Sequence, residues 1–169
     1  MSSARATRSR PNTSHILHLS MPVILYFLLA LLCGAVFPVQ AALNGRMSKL
    51  VGHPIWAAFL SFLTGIIALL IATQTTKVPI SQVIASAKTA PWYLWLGGLL
   101  GAYYVSTVIV IMPRLGVALT FGLIIAGQMF VSLLLDHFGW LGVPIKPISW
   151  GKIVGALLLI VGVVVIRKF

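Results

Sequence analysis

Charged side chains in this 169-residue sequence stand far apart, and the intervals between them constrain its fold more than any motif does. No Asp, Glu, Lys or Arg falls between Arg10 and Arg46, Lys49 and Lys77, Lys88 and Arg114, Arg114 and Asp136, or Lys152 and Arg167. A helix crossing a bilayer needs about 20 mainly apolar residues, since the hydrocarbon core is roughly 30 Å thick and each residue rises 1.5 Å. The intervals supply five such segments, at about 21–44, 54–73, 91–112, 115–135 and 148–166. The last needs Trp150 at the interface and the Lys152 ammonium snorkelling out of the hydrocarbon. With 60% hydrophobic residues and only 8% charged, the chain has too little polar surface for a water-soluble domain, whose charged share is about 25%. The expected class is therefore an all-α integral membrane protein with five transmembrane helices.

The connections carry turn chemistry. Asn44-Gly45 and Gly52-His53-Pro54 bracket a loop after the first helix, and Pro113 to Gly116 make a short hairpin between the third and fourth. The loop from Lys77 to Thr89 is the longest, with spacing that allows a short interfacial helix. Residues 1–20, basic and rich in Ser and Thr, read as a disordered tail ahead of a membrane domain at 21–169.

Twelve Lys and Arg against one acid give a formal net charge of +11, a balance that often signals nucleic acid. Here, apart from Arg5, Arg8 and Arg10 near the start, the cations occur singly or in loose pairs between apolar runs, where anionic headgroups lie, so the bilayer is the expected partner and nucleic acid is not. The single cysteine, Cys33, excludes an intrachain disulfide.

No ionisable Asp, Glu, Lys, Arg or His lies in the middle of a span. Paired carboxylates, a metal cluster or a Ser-His-Asp triad cannot be assembled at depth, so neither an enzyme nor a metal or cofactor site is expected. The polar candidates are neutral. Gln40 and Asn44 share one face of the first helix at i and i+4, shortly after Pro38, whose missing N–H frees the Gly34 carbonyl and makes a hinge. Tyr103 and Tyr104 lie near mid-depth in the third helix, and Gln128 lies roughly 5 Å past the centre of the fourth. Each alone reads as interhelical hydrogen bonding; together they are candidates for a substrate pathway. Gly97, Gly98 and Gly101, and Gly151 with Gly155, have the small-residue spacing of close helix packing, within or between subunits. Asp136 reads first as a cap or ion-pair partner at the interface and second as a proton- or cation-sensing group.

An odd number of spans puts the termini on opposite sides. Arg5, Arg8, Arg10, Lys77, Lys88, Lys146 and Lys152 then share the N-terminal side, and Arg46, Lys49, Arg114, Arg167 and Lys168 the other. So even a division barely selects an orientation, and the tail favours a cytoplasmic N-terminus where the orientation is single. Dual insertion permits an antiparallel homodimer, in which Asp136 of one subunit shares a membrane face with Arg114 of the other.

The run from Pro91 to Tyr103 (PWYLWLGGLLGAY), then Pro113-Arg114-Leu115-Gly116-Val117-Ala118, Gly127-Gln128 and Asp136-His137-Phe138-Gly139, resembles the YdcZ-type branch of the drug/metabolite transporter superfamily. The resemblance covers about Val23 to Phe169 and includes Gln40 and Asn44. It implies a five-helix half-transporter of the bacterial inner membrane, paired antiparallel with itself or with a homologue. The related small multidrug resistance proteins couple to protons through a glutamate in the first helix. This sequence has no glutamate, and Gln40 is the nearest polar stand-in, so the implied substrate is neutral or anionic. A transporter is the reading that results, with a passive channel and a non-transporting scaffold as the alternatives.

Overall fold

The computed structural model describes residues 23–169; the basic tail and the expected start of the first helix at Met21 lie outside them. Among the described residues the regular structure is entirely helical: α1 (Val23–Val51), α2 (Pro54–Thr73), α3 (Ile80–Thr89), α4 (Leu96–Leu115), α5 (Val117–Phe138) and α6 (Trp150–Lys168), with short 3₁₀ turns at Trp92–Trp95 and Trp140–Gly142. Five segments are long and apolar enough to cross a membrane, namely α1, α2, Trp92–Leu115, α5 and α6. The large apolar side chains along them are mostly exposed, as expected where lipid replaces water as the solvent for one face of every helix.

The chain divides into two units, Met1–Ala35 and Val36–Phe169. In the first, the described residues are one apolar helical stretch with largely exposed side chains. The second unit is organised around α4, which packs against both α2 and α5, while α5 lies along α6. Successive residues on a helix point about 100° apart, and α4 uses this to serve two neighbours. Val108 and Met112 are buried with Ala41 of α1, whereas Ile109 is buried with Ala57 and Ala58 of α2.

Several helix ends differ from the sequence expectation. The first helix runs to Val51 rather than ending at Asn44, because Asn44-Gly45 is not a turn. A Cβ on Gly45 would stand 3.2 Å from Met112 Cε, so that glycine serves close packing. The α1–α2 link shrinks to Gly52-His53, where Gly52 takes φ +80°, His53 Nδ1 accepts from Ile55 N–H at 3.2 Å, and Pro54 occupies the first turn. The third span continues through Pro113 to Leu115. A proline in the last turn forfeits one backbone hydrogen bond, and Gly116, at φ +80°, closes the helix by donating its N–H to Met112 O at 2.9 Å. Only Gly116 separates α4 from α5. Thr120, fully buried, fastens the corner from Oγ1 to Gly116 O at 2.6 Å. The fourth span extends past Leu135 to Phe138, and the fifth runs over Trp150–Lys168, shifted from 148–166, with Ser149 as its N-cap.

Within the subunit the small-residue motifs make few contacts. Gly97, Gly98 and Gly155 face open space, and Gly151 meets only Ser149 Oγ at 4.0 Å. Gly101 meets the Phe62 ring at 3.6 Å. Close approach inside the subunit instead uses Gly45 against Met112 and Gly122 against Val163, at 3.0 Å. Spacing alone marks a smooth helix face, and which smooth face meets a neighbour depends on helix rotation.

Candidate functional site

The polar residues at depth converge between α1 and α4. A small cavity there is lined by Phe37, Gln40, Ala41 and Asn44 of α1, Tyr104, Val105, Val108 and Ile109 of α4, and Phe121 of α5. Phe37, Gln40, Ala41 and Asn44 recur at helical spacing and so form one stripe of α1. The floor is apolar and tightly buried through Ala41, Val108 and Ile109. Phe37 and Tyr104 meet edge to face, their ring centroids 6.0 Å apart at 78°.

Asn44 stands out within this lining. Only 7% of it is exposed and it lines the recess; among the described residues no fully buried side-chain nitrogen or oxygen lacks a partner. A carboxamide in an apolar medium costs several kcal/mol of solvation unless it is paired, so the one that lines this recess is suited to hydrogen-bond a ligand or water there. The free volume beside it is about 10 Å³, the space of one water molecule. Gln40 sits at the rim, one turn before Asn44, and also lines a second cavity of about 230 Å³ with Ser61, Phe62, Gly65, Ile66 and Leu69 of α2. Gln40 thus borders both a roomy groove and a tight recess. No Asp, Glu, His, Lys, Arg or Cys lines either space.

The sequence candidates divide accordingly. Gln40, Asn44 and Tyr104 come together. Tyr103 does not, because its position beside Tyr104 turns it 100° away, and it is 71% exposed. Gln128 is exposed on α5 and does not line this recess. Sequence reasoning missed Phe37 and Phe121. Phe37 was legible as the residue two turns before Asn44 on the same stripe, whereas Phe121 enters only through the α4–α5 corner.

At the opposite end of α5, Asp136 has an intrachain neighbour. Its Oδ2 lies 3.9 Å from Lys152 Nζ, which also donates to the carbonyls of Lys146, at 3.0 Å, and Pro147, at 3.1 Å. Lys146 N–H donates to Asp136 O at 2.7 Å, and Ile148 N–H to His137 Nδ1 at 3.2 Å. The Lys152 ammonium is thereby turned out of the span toward the 143–149 loop, as snorkelling requires. Arg114, at the far end of α4, has no part in this cluster.

Residues 25–165 match the family described as "Putative inner membrane exporter, YdcZ". Inner membrane protein YdcZ of Escherichia coli (strain K12) is 31% identical over 144 residues, which cover 85% of this chain and 94% of that protein. No solved structure matches. With five membrane-spanning helices and a match along nearly its whole described length, the chain belongs to the YdcZ family of multi-pass bacterial inner-membrane transport proteins.

Proposed function

We propose that the chain is one half of an alternating-access transporter for a neutral or anionic small molecule, working as an antiparallel dimer with itself or a paired homologue. The observation that carries this reading is the Asn44 carboxamide, largely buried in a recess that it lines together with Gln40, Tyr104 and Phe37. Amides and a phenol bind by donating and accepting hydrogen bonds, while aromatic edges hold a flat or apolar moiety. A recess of about 10 Å³ admits no metabolite, so α1 must move relative to α4 when substrate enters. Pro38, one residue past Phe37 in α1, supplies a place for that bend.

The dimer reading rests on the near-even distribution of cations and on glycine faces that the subunit leaves open. An inverted pair gives two equivalent half-cycles about an axis in the membrane plane. In such a pair Asp136 faces Arg114 of the other subunit. Its side chain is 41% exposed and its contact with Lys152 is long, which leaves the carboxylate able to take a second partner. Coupling by a membrane carboxylate is unavailable, because Asp136 at the end of α5 is the sole acid.

A thermal-shift screen of neutral and anionic metabolites on the purified protein, followed by counterflow of any hit in proteoliposomes, tests this reading. A transporter shows trans-acceleration, and collapsing the pH gradient leaves it intact. Flux without trans-acceleration would make the protein a passive channel. Binding and flux both unchanged when Gln40, Asn44 and Tyr104 are replaced together would remove the site.

A further inference from the structure

Among the described residues α3 is the one α-helix too short to span: its 10 residues reach about 15 Å, half the hydrocarbon thickness. It links two crossing helices, so it lies at the membrane boundary, on the side that carries Lys146 and Lys152. At helical spacing Ile80, Val83, Ile84 and Ala87 share one side, and Gln82 and Thr89 lie opposite. Ile80, Val83 and Ile84 are all exposed, and among the described residues no other helix makes extended contact with α3.

Charge identifies what covers this face. Lys77 precedes the helix, Lys88 flanks its apolar side in the last turn, and no acid occurs anywhere between them. Pro79, the N-cap, provides no side-chain acceptor, although its carbonyl accepts from Gln82 and Val83 N–H, and Lys77 adds its charge to the positive helix end. The 3₁₀ turn that follows exposes Trp92, Tyr93 and Trp95, whose amphipathic rings suit the headgroup layer. A second copy of the chain is a poor occupant, since it brings twelve cations and one acid.

We propose that α3 and the Trp92–Trp95 turn form a docking element for an anionic phospholipid surface. Ile80, Val83 and Ile84 enter the acyl boundary, and Lys77 and Lys88 sit on headgroup phosphates. The element lies flat, with its polar side in water, and holds the 74–91 connection against an anionic leaflet.

The test uses the full chain with Cys33→Ser and a nitroxide label on Gln82→Cys, Val83→Cys, Ile84→Cys or Thr89→Cys in turn. Each is reconstituted in vesicles of phosphatidylcholine alone or of equal parts phosphatidylcholine and phosphatidylglycerol. In the mixed vesicles positions 83 and 84 should collide with oxygen and be shielded from a neutral nickel chelate, with 82 and 89 showing the reverse. In phosphatidylcholine the shielding should weaken. Each of Lys77→Gln and Lys88→Gln should lower the docked-to-free ratio at position 84 about fivefold in the mixed vesicles. Equal nickel access at 82 and 84 in both vesicles, or shielding that ignores lipid charge and both lysine changes, would overturn the proposal. So would shielding that rises with protein density at fixed lipid composition, which would assign the face to a second copy.

Discussion

At the scale of single residues, Asn44 concentrates the cost and the use of a polar group in lipid. Asn44 is largely buried and lines the recess, so its carboxamide is placed to bond a ligand rather than to hold the fold. We expect Asn44→Leu to leave thermal stability in detergent within about 1 kcal/mol of the parent, or to raise it. Transport of an identified substrate should fall about tenfold or more, the value of one lost hydrogen bond to ligand. A large drop in melting temperature would instead make Asn44 a structural residue. The neighbouring tyrosines give a matched control. Tyr104→Phe should weaken substrate binding in a thermal-shift titration, whereas Tyr103→Phe, on the exposed side of the same turn, should not.

At the scale of elements, the glycines serve different purposes. Gly122 lets α5 approach Val163 of α6, and Gly122→Val should cost roughly 1–3 kcal/mol by overpacking, read as a lower unfolding midpoint. Gly139 ends α5 at φ +65°, where a Cβ would stand 2.6 Å from Ile145 Cγ1. Gly139→Ala should therefore destabilise the α5–α6 connection by about 1–2 kcal/mol from backbone conformation alone, and by more from the contact. Gly155 faces open space and should tolerate the same change within a subunit. Pro38 acts on α1 in the opposite sense. Pro38→Ala restores the backbone N–H inside the helix and should raise thermal stability by up to about 3 kcal/mol while slowing turnover. Unchanged turnover would remove the hinge. Helix identity was legible at this scale because an uncharged interval of the right length has no other fold in lipid. The ends at Asn44 and Pro113 were not, since Gly45 answers to Met112 and Gly116 lies a turn beyond the proline.

At the scale of the whole molecule, the helix contacts of the subunit run along α2–α4–α5–α6, and its recess holds about one water. The open faces at Gly97, Gly98 and Gly155 are then available to a second subunit. The double variant Gly97→Leu with Gly155→Leu should keep the melting behaviour of the subunit and lose the dimer band in cross-linking within native membranes. An intact dimer would move the interface elsewhere.

Membrane class, the number of crossings and the missing membrane carboxylate follow from charge spacing alone, because lipid penalises an unpaired charge wherever the helix is placed. Family membership was legible in ordered motifs for the same reason: they are local strings. Which polar residues share a site was not, because that depends on how each helix is rotated about its axis. Tyr103 and Tyr104 are neighbours in sequence, and a turn of 100° sends one to the surface and the other to Asn44. The same rotation leaves Gly97 open and buries Ala57, although either is small enough to pack. Rotation is settled by side-chain contacts between helices distant in sequence, Ala41 with Val108 and Ala57 with Ile109, and such contacts exist only once the chain has folded.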